Sequence, residues 1–170
     1  MNKRTKKKLH LKQMEHIWAS VGYIIHITSL IEYNLINLIA GDTYLQVFDK
    51  DSFNLEDIKS AAKSSNDVLH DLSNSKSMLG KLIGILKKNH PIFDESFLND
   101  LSKVSDIRGY YAHQFFKEDL WNRYLETNPY KYRKKLREDV GFVLMIHYQV
   151  LDIDRRFREL AKKSFLNKTN

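Results

Sequence analysis

The chain has 170 residues, enough for one domain with a real core. It has no cysteine, which excludes a disulfide scaffold, a thiol nucleophile and any cysteine-based zinc or iron–sulfur site. The net charge is +7 before seven histidines are counted, and with two prolines and six glycines the composition favours long helices over strands and turns.

The first predicted helix runs from about Leu9 to Ala40. Leu11, Met14, Trp18, Val21 and Ile25, then Ile24, Ile27, Leu30, Ile31, Leu35 and Leu38, recur at intervals of three and four. Gly41-Asp42 is expected to end it. The window Tyr23 to Ala40 is the most apolar, but it carries His26, Thr28, Ser29, Glu32, Asn34 and Asn37, so it reads as a buried helix with no membrane insertion. The basic stretch before it lacks an apolar signal region. Residues 1–8 are expected to fray, and the whole chain, 1–170, reads as one cytoplasmic domain.

Tyr44 to Phe53 reads as a connector. Asn54-Leu55-Glu56-Asp57 has the form of a helix start, with a capping side chain and acids in the first turn. The stripe Ile58, Ala61, Ala62, Val68, Leu69, Leu72 follows, until Ser73 to Ser77 interrupts it. Met78 to Leu86 resumes the helical pattern, which Asn89-His90-Pro91 stops. Asp94 is the expected cap of the next helix, with Phe97, Leu98, Leu101, Val104, Ile107 and Tyr111 as its stripe.

Residues 118 to 126 read as a short helix or a loop, and Asn128-Pro129 as a clean start to the last helix. That helix is expected to reach Lys163, with a frayed tail over 166–170. Its stripe is Leu136, Val140, Val143, His147, Val150, Asp154, Phe157 and Ala161, widened by Leu144, Leu151 and Leu160. Gly141 suggests close packing of another helix at mid-length. The sum is an all-α, up-and-down bundle of four to five helices.

Chemistry concentrates at Asp106-Ile107-Arg108-Gly109-Tyr110-Tyr111-Ala112-His113-Gln114-Phe115-Phe116. Arginine stays protonated and binds phosphate through two N–H groups, and histidine can move a proton near neutral pH. RNA supplies its own nucleophile, the 2′-OH, so Arg108 as phosphate clamp and His113 as general acid or base could cleave it without a metal or other cofactor. No spacing of histidines and acids suggests a metal site. On an ideal helix, five residues turn by about 140°. Arg108 and His113 would therefore converge most easily across the two-fold axis of a homodimer.

Glu32, among apolar neighbours, reads as a hydrogen-bonded or rim residue or as a partner for a cation such as Arg108, and Asp106 is a second candidate acid to hold that arginine. Tyr110, Tyr111, Phe115 and Phe116 read mostly as core or dimer contacts, with one of the two tyrosines, Tyr110 or Tyr111, a candidate to stack an RNA base. Lys131, Arg133, Lys134, Lys135 and Arg137 form a basic face suited to a nucleic-acid backbone.

The Arg-x4-His spacing of Arg108 and His113 resembles the signature of HEPN domains. Met78 to Leu86 is similar to the helix that precedes that signature, and His113-Gln114-Phe115-Phe116 to its His-x-Phe-Phe continuation. The resemblance implies a HEPN-like all-α homodimer. Such domains are frequently metal-independent endoribonucleases in toxin–antitoxin or antiphage defence systems, with RNA as substrate and an antitoxin or other protein as partner. Two positions depart from the pattern. Gly109 stands where a polar residue, often asparagine, follows the arginine, and Phe115 where some toxins carry a modifiable tyrosine. Two further readings therefore stand beside the nuclease. One is a non-catalytic HEPN-like module that binds nucleic acid or protein. In the other, Arg108 and His113 serve only as hydrogen-bonding groups at a dimer interface.

Overall fold

A computed structural model describes residues 3–46, 54–73, 78–89, 93–115 and 129–169. Among them are five α-helices and no strand: α1 (Lys3–Leu45), α2 (Leu55–Ser73), α3 (Met78–Asn89), α4 (Glu95–Gly109) and α5 (Pro129–Thr169), with a π-helical turn, Tyr110–Gln114, fused to the end of α4. The protein is an all-α bundle.

Several helix starts follow local chemistry. At α2, Asn54 Oδ1 accepts from the Asp57 N–H and Asp57 Oδ2 accepts from the Asn54 N–H, both at 3.0 Å. This reciprocal capping box satisfies two donors that the helix itself cannot. At α4, Asp94 is extended and its Oδ1 accepts from the Phe97 N–H at 2.6 Å. Pro129 opens α5, where its missing N–H does no harm.

The long helices depart from expectation at their ends. α1 begins at Lys3, inside the stretch expected to fray, because lysine and arginine are good helix formers. It also continues through Gly41 to Leu45. Gly41 does not cap the helix. A Cβ there would lie 3.0 Å from Cε1 of Phe157, so the residue lets α5 approach closely. Gly141, expected to serve that purpose, is exposed, and a Cβ there would meet nothing within 4 Å. α5 runs to Thr169, through the tail expected to fray. The connector over 47–53, the interruption at 74–77, His90-Pro91, the segment 118–126 and Asn128 lie outside the described residues.

The core is drawn from every helix. Ile24, Ile31 and Leu35 of α1 pack with Leu72 of α2, Leu82 and Leu86 of α3, Leu101 and Val104 of α4, and Val143, Ile146 and Val150 of α5. Ile146 is fully buried and was not part of the expected stripe, whereas Leu151 and Leu160 are exposed. The stripe on α5 is centred nearer Val143, Ile146 and Val150 than its Leu positions suggest. Ile17 shares a cleft with Leu136, and Gly41 abuts Phe157, so α1 and α5 run parallel. α4 runs antiparallel to α5: Phe93 shares a groove with Ile153, while the Tyr111 hydroxyl reaches Asp139. By length and hydropathy alone, Met14–Leu45 could cross a membrane; in the bundle, much of that helix is buried against its neighbours.

Candidate functional site

The site is built where α4 gives way to the π turn. The Tyr110 N–H is shared between the carbonyls of Asp106 and Ile107, and the Phe115 N–H donates to the Tyr110 carbonyl at 2.8 Å. That i→i+5 bond widens the turn. Three rings fill the widened coil: Tyr110 and Tyr111 meet edge-to-face at 4.9 Å, and Phe115 lies 5.3 Å from Tyr111 and 6.0 Å from Tyr110. Tyr111 and Phe115 are buried, so ring packing supports the irregular hydrogen-bond pattern. Such π insertions are common at functional sites.

Arg108, on the last turn of α4, places Nη1 3.2 Å from Oε1 of Glu32. Glu32 is 4% exposed in the middle of α1, and its carboxylate also accepts from the backbone N–H of Leu79 in the first turn of α3. One acid therefore joins three helices. It neutralises the cation of α4 and satisfies an otherwise unpaired donor at the positive end of α3. Burial raises the Glu32 carboxyl above its ordinary value; Arg108 and the Leu79 N–H oppose that rise without cancelling it. Glu32 Oε1 and Arg108 Nε are both buried without a hydrogen-bond partner. The pair is thus a charge contact and not an aligned fork.

His113 sits on the π turn, exposed to solvent, and makes no hydrogen bond or ion pair among the described residues. Arg108 turns inward to Glu32, so within one chain the two signature residues do not meet. Asp106 is not a second acid for Arg108. It is exposed and faces α5, sharing a shallow groove with Lys103, Ile107, Glu138, Asp139 and Phe142.

The tyrosines separate. Tyr111 is 2% exposed and donates its hydroxyl proton to Asp139 Oδ2 at 2.6 Å, so it is a core residue and is not available to stack a base. Burial, then the Asp139 carboxylate, push its phenol far above the usual tyrosine range. Tyr110 is half-buried, with Lys135 Nζ 5.3 Å from its ring centroid.

The basic face of α5 is divided as well. Lys135 bonds Asp139 at 2.7 Å and Lys134 lies 3.8 Å from Glu138. Arg133 and Arg137 make no ion pair among the described residues and face a cleft against α1. The Lys131 side chain lies outside the described residues.

Elsewhere, His147 of α5 is held below its ordinary value by burial and then by the nearby His26 of α1, a pairing across helices that linear spacing could not reveal. No cluster of three metal-ligating side chains exists among the described residues. A groove of about 650 Å³ lies toward the start of α4, away from Arg108. Two of its acids, Asp100 and Asp152, are paired with Lys103 and with Arg155 and Arg156. Comparison with known protein families, with curated proteins and with solved structures finds no match to this chain.

Proposed function

We propose that the protein is a metal-independent endoribonuclease of the HEPN type, acting in the cytoplasm as a homodimer without membrane insertion. The observation that carries this reading is the junction of a π turn exposing His113 with an arginine, one-third exposed, that is held by a buried acid. Glu32 engages Nη1 of Arg108 from within the core, and 36% of the arginine side chain stays exposed. His113, one turn later, is exposed and has no protein partner among the described residues.

In a dimer that apposes two such helix ends, the two histidines divide the proton work. One takes the proton of the RNA 2′-OH as that oxygen attacks phosphorus, and the other gives a proton to the departing 5′-oxygen as the P–O5′ bond breaks. Arg108 stabilises the added charge on the phosphoryl oxygens. The products are a 2′,3′-cyclic phosphate and a 5′-hydroxyl.

Incubating the protein with single-stranded RNA in EDTA should give those ends, and His113→Ala should lower the rate by about 10²-fold or more. Arg108→Lys keeps a cation beside Glu32 and should also lose most activity, because lysine cannot bind phosphate through two N–H groups. RNA left intact over a range of pH and salt, or equal cutting by His113→Ala, overturns the proposal.

The engagement of Arg108 by Glu32, together with Gly109 after it, favours one second reading: a non-catalytic HEPN-like module that binds nucleic acid through α5. Salt-dependent RNA binding that survives Arg108→Lys, with no turnover by the unaltered protein, would select it.

A further inference from the structure

The basic run of α5 is not uniform. Four residues separate neighbours on a helix face. A step of four from Lys134 or Lys135 lands on an acid, Glu138 or Asp139, and both pairs form. The same step from Arg133 lands on Arg137, and from Arg137 on Gly141, which puts no side chain beside it. The acids of this segment therefore serve the lysines and leave the two arginines as neighbours four residues apart on one face, a spacing at which like charges repel.

Those two arginines form one wall of a cleft of about 260 Å³. The opposite wall is His16 and Ser20 of α1, and the floor is apolar: Ile17, Leu136 and Val140. Ile17 and Leu136 are 2% and 8% exposed, so the floor belongs to the core and the cleft has a fixed shape. Ser20 donates its hydroxyl to the His16 carbonyl at 2.9 Å, and His16, an exposed residue, borders the same cleft as the arginines.

Two guanidinium groups and an imidazole around a small, rigid concavity match a tetrahedral oxyanion. Arginine recognises phosphate through paired N–H groups, and an anion between Arg133 and Arg137 relieves their repulsion. We propose that this cleft is a phosphate-binding site that takes a phosphate group of an oligoribonucleotide, either a terminal phosphomonoester or a backbone phosphodiester. The site is separate from Arg108 and His113 and does not need turnover.

The test is fluorescence anisotropy with pentauridylate labelled at its 3′ end, bearing either a 5′-phosphate or a 5′-hydroxyl. The full chain carries His113→Ala so that the probe stays intact. At least one probe should bind, and Arg133→Gln with Arg137→Gln should weaken that binding about tenfold or more, in line with the loss of charged hydrogen bonds. His16→Gln, on the other wall, should weaken it several-fold. Lys162→Gln with Lys163→Gln removes the same charge from the far end of the same helix and should change binding less than about twofold.

Binding of the 5′-phosphorylated probe alone assigns the cleft to a terminal phosphate, and equal binding of both assigns it to the backbone. The proposal is overturned if neither probe binds, if the arginine variant binds as tightly as its parent, or if the two double variants weaken binding equally. Cleft-dependent binding without cleavage by the unaltered protein would remove the nuclease and leave this site. Cleavage without such binding would do the reverse.

Discussion

At the scale of single residues, the pair of Glu32 and Arg108 is asymmetric. Arg108 is long and one-third exposed, so without Glu32 it can turn to water; Glu32 cannot. Arg108→Ala should therefore destabilise the protein by about 3 kcal/mol, near the low end for stranding a buried charge, and Glu32→Ala by less. Denaturant unfolding of the two variants tests the order. The sign of the pH effect follows from the raised carboxyl. In the window between the ordinary glutamate value and the higher folded one, the folded state holds more protons than the unfolded, so Glu32 makes stability fall as pH rises through that window. Glu32→Gln should remove that slope.

Part of this was legible beforehand. Glu32 is the lone acid in an apolar stripe, which marks it as a partner for a cation. That it also accepts from Leu79 was hidden, because a cap lent by another helix is a tertiary fact. Of the two readings of Tyr111, core residue and base-stacking group, its burial selects the first, and the groups that complete it, Asp139 and Lys135, are 28 and 24 residues away by number.

At the scale of elements, the starts of α2, α4 and α5 were readable, as were the ends of α2 at Ser73 and of α3 at Asn89, whereas the start of α1 and the ends of the two long helices were not. Asn54, Asp94 and Pro129 announce helices through side chains that act on their own first turn. Gly41 carries no such local signal to continue; its meaning depends on Phe157, in a helix far along the chain. The two glycines therefore make opposed expectations. Gly141→Ala enters open space and should stabilise the protein by roughly 0.5–1 kcal/mol through better helix propensity. Gly41→Ala must push against the Phe157 ring, and its melting temperature should fall below that of Gly141→Ala. The π turn was also invisible in advance, because it depends on three rings finding room together and leaves no mark on the three-and-four periodicity.

At the scale of the whole molecule, the fold class could be read from composition and periodicity, since every helix buries a stripe that the sequence displays. The assembly could not. In one chain Arg108 is paired with Glu32 while His113 stays exposed, and the two-histidine chemistry proposed calls for a second copy. Sedimentation equilibrium at micromolar concentration should give a dimer, and His113→Ala, at an exposed position, should not change the fold of the protomer. A monomer at every concentration would remove the two-histidine mechanism.

The parallel pairing of α1 with α5 also bears on how the chain is made. The apolar face of α1, around Ile17 to Leu38, is completed by a helix that emerges from the ribosome on the order of 100 residues later. Throughout that interval the nascent chain displays its most hydrophobic segment without its main cover, in a helix apolar enough to engage a lipid bilayer. The final packing of α1 therefore waits on the last helix of the chain.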